Sequence, residues 1–351
     1  MASAQVAPVH EFNGAGRRLL VRVDAPEADG PLTIELHDAW YRAAGSPEPD
    51  DPRALAPIAI ASAPVDVGLV DLAAVFPALW EGEKGRHRTL YAQLKRGNEG
   101  VGPAMVLVPM IEPRLAMLVD RSTEDLRPTT GGGSSQVMYA DERDAALARQ
   151  RGEAPPERQE WFTGYRAWVD QHAVIRTSLG EIELRLRPDQ APNTVRNFMS
   201  LAAGGFYRET IFHRVVGRLP NGASFVIQGG DPSGTGEGTP GYNFDLEASA
   251  LPHDFGVISM ARNPDPNTNG CQFFICLSRE GTARLDGLYT SFGEAVRGAE
   301  VIAAIGAVEV SGANHRPIEP PVIEDVVLID APPLGQGPAP VRAPEPAPTE
   351  R

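Results

Sequence analysis

From His172 to about Asp330 the chain breaks into short apolar runs, each cut off by glycine, and only two stretches there carry helical periodicity. Runs this short do not make buried helices. As strands they bury their apolar faces only by pairing with several neighbours. His172 to Arg176 and Glu181 to Arg187 read as strands about a Ser178-Leu179-Gly180 turn. Ala191-Pro192-Asn193 opens a helix, because the fixed φ and missing N–H of proline suit a first turn. It runs to about Ala203 and is closed by Gly204-Gly205. The second helix spans roughly Gly298 to Ile305. The fold predicted is mainly β, a closed antiparallel β-barrel capped by two helices.

The chain before this region reads differently. Arg18 to Val23 and Leu32 to His37 alternate apolar and polar residues, with the turn-forming Ala28-Asp29-Gly30 between them. Thr89 to Leu94 and Met105 to Met110 suggest a hairpin around Gly97 to Pro103, and Leu115 to Val119 a further strand. A small β-rich sandwich or barrel is predicted there. Thr129 to Ser135 is a Thr/Gly/Ser run with the composition of a flexible linker. Helical stretches are predicted over Asp141 to Gln150 and Pro156 to Asp170. On the second, Trp161, Tyr165 and Trp168 stand at i, i+4 and i+7, a single helix face suited to packing rather than to a ligand. After Ala331 the chain is Pro/Ala-rich with almost no large apolar residues, so disorder is expected. The expected domains are 1–128, β-rich and of unknown role; 129–170, linker and helical segments; 171–330; and a disordered tail, 331–351.

The formal net charge is −14, spread along the chain without a basic block, which argues against nucleic acid as a partner. No apolar run approaches the roughly 20 residues of a membrane-spanning helix, so no membrane partner is expected. Met1 to Leu20 lacks an apolar segment ahead of a small-residue cleavage site, and no secretory signal is expected. The two cysteines, Cys271 and Cys276, form no disulfide framework and read as buried small apolar residues; a reducing cytoplasm fits.

Four segments carry the chemistry: Phe212-His213-Arg214; Phe225-Val226-Ile227-Gln228-Gly229-Gly230-Asp231; Ser259-Met260-Ala261; and Asn267 through Ile275. Leu285-Asp286-Gly287 and Phe292-Gly293 come after them. In this order and spacing, residues 172–330 closely resemble the cyclophilin family of peptidyl-prolyl cis-trans isomerases. The agreement of several separate motifs makes the resemblance specific. It implies an enzyme that speeds rotation about X-Pro bonds in unfolded or flexible proline-containing polypeptides, without cofactor or metal, and acts as a monomer assisting protein folding.

The chemistry needs little else. Peptide rotation faces a barrier of about 18–20 kcal/mol from the partial double bond. The cis form of X-Pro lies only about 0.5–1 kcal/mol above trans, so both are populated. A catalyst must favour the twisted state, in which the prolyl nitrogen has lost conjugation and gained a lone pair. A rate gain of roughly 10⁵ corresponds to about 7 kcal/mol of differential stabilisation. Arg214 suits the task, since a guanidinium is permanently charged and donates in a fixed fork. The resemblance places the arginine of the matching motif near the prolyl nitrogen. It makes Arg214, Gln228 and Phe225 the catalytic candidates, with Phe212, Val226, Ala261, Arg262, Gln272, Phe274, Leu285 and Tyr289 as substrate-binding residues. Gln228 and Gln272 would hold substrate backbone, and Phe225, Val226, Phe274 and Leu285 would surround the proline ring. Tyr289 falls at the pocket rim.

Taken singly, Arg214 reads as a structural ion-pair residue and Phe225 and Phe274 as core aromatics; the joint motifs reverse that weighting. His213 reads as structural. Gly236 to Gly241 fits the dinucleotide fingerprint Gly-x-Gly-x-x-Gly, but Pro240 and Tyr242-Asn243-Phe244 open no helix and no βαβ unit surrounds them. The resemblance makes this a glycine-rich loop beside the active site. The chain departs from the family in extra residues from Arg218 to Ser224, in one residue inserted around Arg262-Asn263-Pro264-Asp265, and in Arg284, where many members carry an aromatic, often tryptophan. These departures bear on substrate preference and drug binding more than on catalysis. The alternative function, from another class, is a module that grips proline peptides with incidental turnover.

Overall fold

A computed structural model describes residues 5–25, 30–38, 58–81, 87–112, 114–130, 134–156 and 161–344. Two compact units divide the chain, and neither is contiguous. One joins Met1–Pro113 to Gln159–His172 and Ile329–Ala339; the other joins Arg114–Arg158 to Ala173–Leu328 and Pro340–Arg351.

In the first unit, Leu32–Asp38 shows how the sequence dictates a strand. Leu32, Ile34 and Leu36 are buried and alternate with more exposed neighbours, the period of a half-covered sheet. This strand pairs with Leu90–Arg96, which pairs in turn with Met105–Ile111 as the expected hairpin. A three-stranded sheet of Gln5–Pro8, Leu20–Asp24 and Gly68–Asp71 adds Val6, Val21 and Val23 to the same core. Of the turn expected before Leu32, Ala28 and Asp29 lie outside the described residues.

The helix expected over Pro156 to Asp170 is a strand, Phe162–Val169, paired with Met105–Ile111 on one side and Phe12–Gly14 on the other. Three aromatics at helical spacing misled the reading. The segment is rich in aromatic and β-branched residues, and Gly164 sits at φ +135°, at a bulge no helix would hold. Tyr165 and Trp168 are buried whereas Trp161 is exposed, so the three do not share a face. Residues 157–160 lie outside the described set.

In the second unit, Ala116–Asp120 and Ser135–Tyr139 pair as an antiparallel hairpin, followed by the helix Ala140–Gln150. The Thr129 to Ser135 run expected as an interdomain linker connects these two paired strands, and Gly131 to Gly133 lie outside the described residues. The hairpin packs on a segment more than a hundred residues further along the chain. Ala116, Val137 and Tyr139 cluster with Leu246, and the Ala248 N–H donates to the Tyr139 hydroxyl at 2.7 Å.

A nine-stranded sheet forms the body of this unit. Its order is Thr210–Ile211, Val322–Asp330, Gln171–Thr177, Gly180–Leu186, Ser291–Arg297, Val257–Met260, Phe273–Cys276, Val226–Gly229 and Arg214–Val216. The sheet is curled but does not close as expected. Its two end strands do not pair, and a single bridge from Ile211 to Asp231 joins that margin. A two-residue strand such as Thr210–Ile211 is too short to carry a full closing ladder. Both predicted helices are present. Pro192–Ala203 has proline in its first turn, and the Glu247 carboxylate accepts from the N–H groups of Asn193 and Thr194, which have no partner inside the helix. Its Phe198 ring meets Phe273 edge-on at 5.8 Å and lies 5.3 Å from Phe292. Ala299–Gly306 buries Ile302 and Ile305.

The Pro/Ala-rich stretch expected to be disordered makes defined bonds over its described part. The Leu334 N–H donates to Gln93 Oε1 at 2.7 Å, and the Val341 N–H donates to the Ala295 carbonyl at 2.9 Å. Such bonds need no large apolar side chain, which is why composition did not signal them. Residues 345–351 lie outside the described set.

Candidate active site

Strand register assembles the site. Arg214 lies opposite Gln228, Gln228 opposite Phe274, and Phe274 opposite Ser259, so one row crosses four strands. Two residues along, Val216, Val226 and Cys276 form a second row. Side chains alternate faces with a period of two, so both rows share one face of the sheet. The intervening Val215, Ile227 and Ile275 point to the other face and are fully buried.

On the first face Val216, Phe225, Val226, Leu251, Val257, Phe274, Cys276 and Leu285 form one apolar cluster, with Leu219, Ala261 and Tyr289 packed against it. The four residues expected around the proline ring therefore meet. The Tyr289 ring meets Phe274 edge-on at 5.7 Å, at the margin of the cluster.

Beside this cluster a relay of side-chain amides orients the cation. Arg214 Nη1 donates to Gln228 Oε1 at 3.1 Å, and Gln228 Nε2 donates to Gln272 Oε1 at 3.1 Å. Gln272 Nε2 then donates to the carbonyls of Gly236 and Gly238 at 2.9 and 3.0 Å. These fix which way each amide faces. The glycine-rich loop thus anchors the relay. It is shaped by the Asp231 carboxylate, which accepts from the N–H groups of Ser233, Gly236 and Gly238. A Cβ on Gly238 would fall 1.8 Å from Asp231 Oδ1, so no other residue fits without moving the loop. Burial pulls the proton affinity of Arg214 below that of a free guanidinium, with Tyr289 opposing the shift. An arginine stays charged through such a shift. It is a partly desolvated cation with much of its donor fork uncommitted.

Three expected substrate residues stand differently. Phe212 is fully buried, with its ring 6.3 Å from Phe273 and against Gly229, outside the pocket cluster. The strand is interrupted between Ile211 and Arg214, so alternation does not carry across. Arg262 spends its guanidinium on the carbonyls of Leu288, Asn263 and Pro264 and stacks 4.5 Å over Tyr289. Its side chain holds the rim together. Ala261 donates its N–H to the Gln272 carbonyl, which ties that glutamine's backbone to the neighbouring strand end.

Sequence reasoning missed the polar group behind Phe274. The His253 ring stacks on Phe274 at 5.9 Å, with Nδ1 at 3.0 Å from Asp286 Oδ1 and Nε2 at 2.9 Å from Ser259 Oγ. Asp286 in turn pairs with Arg279 at 2.6 Å. Burial holds His253 below the usual histidine value, against the pull of Asp286. It also missed that Asn267 Nδ2 donates to the Ala116 carbonyl at 2.9 Å, which ties the inserted loop to the hairpin. Only the tertiary fold reveals either contact. Both cysteines are buried and unpaired as expected, and burial pushes the Cys271 thiol up to about 12.

His213, read as structural, is buried with neither ring nitrogen bonded to a described residue. Burial lowers its proton affinity from the ordinary 6.5, against the pull of Asp231. The folded state therefore binds this proton less well than the unfolded chain. Stability is full above about pH 6.5 and is lost as pH falls through that value, by at most about 1.4 kcal/mol per pH unit for one proton. His213→Phe is expected to flatten the fall in melting temperature between about pH 7.5 and 5.5. Parallel curves for the two proteins would assign the slope to other groups.

The family model described as cyclophilin type peptidyl-prolyl cis-trans isomerase/CLD matches residues 172–328. A relative from Streptomyces anulatus, peptidyl-prolyl cis-trans isomerase B, is 40% identical over 179 residues, covering 45% of this chain and 95% of that protein. One from Schizosaccharomyces pombe, peptidyl-prolyl cis-trans isomerase ppi1, is 44% identical over 160 residues, covering 44% of this chain and 97% of that protein. A crystal structure of a cyclophilin type isomerase from Cryptosporidium parvum, in the presence of the dipeptide Ala-Pro, is 37% identical, covers 45% of this chain and 99% of its own, and has a TM-score of 0.41.

Proposed function

As the chain belongs to the cyclophilin-type peptidyl-prolyl cis-trans isomerase family and is an enzyme of that class, we propose that Arg214, Gln228 and Phe225 carry its catalysis. The observation that carries this reading is the Arg214–Gln228–Gln272 relay lying against one apolar cluster. The proline ring sits on Phe225, Val226, Phe274 and Leu285. That contact removes the amide from water. The uncommitted donors of Arg214 point to the prolyl nitrogen, whose lone pair exists only in the twisted state, so the bond stabilises the transition state more than either isomer. Gln272 and the backbone near Ala261 and Arg262 hold the substrate's own backbone, with Tyr289 closing the rim. Phe212 supports the sheet from the opposite face.

The substrates are flexible proline-containing segments of polypeptides. The enzyme works as a monomer in the cytoplasm, with no nucleic-acid or membrane partner. The evenly spread negative charge and two unpaired buried cysteines support this setting. The unit built on Met1–Pro113 holds none of the residues proposed here for the chemistry, whereas residues 114–128, first grouped with it, belong to the unit that carries them.

Titrating a neutral Ala-Pro peptide into isotope-labelled protein tests the site. The largest NMR shift changes are expected at Phe225, Gln272, Phe274 and Leu285. Changes confined to residues 5–112 would move binding to the other unit and defeat the assignment.

A further inference from the structure

Three arginines border the proline cluster, and two already serve the site. Arg214 is held by Gln228, and Arg262 by three backbone carbonyls. The third, Arg284, stacks 4.7 Å over the Phe225 ring, immediately before Leu285 in the chain. It is exposed, and among the described residues no carboxylate pairs with it. The contact anchors the guanidinium over the ring, and among the described residues its N–H donors have no partner. A planar fork with free edges is the form that recognises carboxylates. On a chain of formal net charge −14, a cation anchored at the mouth of the pocket is a local inversion of charge.

The inserted segment reaches the same margin through Leu219. Leu219 packs against the cluster, and the segment closes on itself by a bond from the Leu219 N–H to the Ala223 carbonyl at 2.8 Å. Arg218, beside Leu219, is exposed. The chain's two departures thus both touch the cluster, one through Leu219 and the other through Arg284.

Resting on the proline-pocket reading, we propose that Arg284 selects X-Pro segments carrying a carboxylate close to the proline, with acidic polypeptide stretches as the favoured substrates. Arg284 acts on substrate choice, not on the rotation itself.

The test is a series of short Ala-Pro peptides with one neighbour of the proline, on either side, set to Glu, Gln or Lys. The ratio of kcat/KM for Glu over Lys is expected at about two- to fivefold at low salt, the size of an exposed ion pair. It should shrink towards one in about 0.5 M salt. Arg284→Gln should bring the ratio near one at low salt; the residue is exposed, so the variant keeps its fold. A wild-type ratio near one at every position, or a preference that survives Arg284→Gln, overturns the proposal. Arg218→Gln serves as the second variant: if it alone abolishes the preference, Arg284 is not the selecting group. Turnover of the Gln peptide reports the proline pocket separately, because a lost site silences all three peptides whereas a wrong inference equalises them.

Discussion

Arg214→Ala is expected to lower kcat/KM for a neutral X-Pro peptide by about 10² to 10³, the usual cost of losing one donor aimed at developing charge in a water-poor site. The mutation removes the guanidinium and frees Gln228 Oε1, which Arg214 Nη1 now reaches at 3.1 Å. Gln228 still has its own bond to Gln272, so the relay keeps its lower half. Arg214→Lys should fall between wild type and alanine. A lysine keeps the charge but offers no fork to bond Gln228 and the prolyl nitrogen together. Peptide affinity should change much less than turnover, since the apolar cluster of Phe225, Val226, Phe274 and Leu285 is untouched. Rates of Arg214→Ala within about twofold of wild type would take this residue out of the chemistry.

The second large effect concerns stability. Glu294 is fully buried on the strand Ser291–Arg297. Its Oε1 accepts from Arg185 at 2.7 Å and from Arg187 at 3.2 Å, and Arg187 is itself almost fully buried. Glu294→Ala leaves a buried cation short of one partner and opens a void. Breaking a buried pair on one side costs about 3–5 kcal/mol. Arg187 keeps Asp189 at 2.8 Å, so the lower end is expected, about 3 kcal/mol. For a domain of this size that corresponds to a fall of about 6–12 °C in melting temperature. Thermal melts of the whole chain, read by near-ultraviolet circular dichroism, measure it. A shift under about 2 °C would mean that the pair contributes little.

The candidate site was legible through the order and spacing of its motifs, Phe212-His213-Arg214, Phe225 to Asp231, Ser259 to Ala261 and Asn267 to Ile275, which resemble the cyclophilin family. That Arg214, Val226, Gln228 and Phe274 share one face follows from the strand register, which no single segment of sequence displays. The helix at Pro192–Ala203 was legible from proline at its start and glycine after its end. The strand Phe162–Val169 was not, because three aromatics at helical spacing outweighed the strand-forming residues between them. Phe212 was misplaced because a break in the strand is invisible to an alternation argument. The strand Ala116–Asp120 was legible from Leu115 to Val119, but it was grouped with the N-terminal region and the run before Ser135–Tyr139 was read as a linker, since the hairpin's contacts with Leu246 and Asn267 span more than a hundred residues. His253 belongs to the same class: a lone histidine gives no sign in sequence that it will lie between Asp286 and Ser259.

Catalysis at an X-Pro bond is tested most directly by NMR exchange on a short neutral peptide with resolved cis and trans signals, the protein present at a small fraction of the peptide concentration. Acceleration of exchange in both directions with the cis-to-trans ratio unchanged is the expected result, because a catalyst lowers the barrier without moving the equilibrium. Exchange at the uncatalysed rate, with one isomer's signals shifting only as protein approaches stoichiometric amounts, would show a proline-binding module and contradict the enzyme.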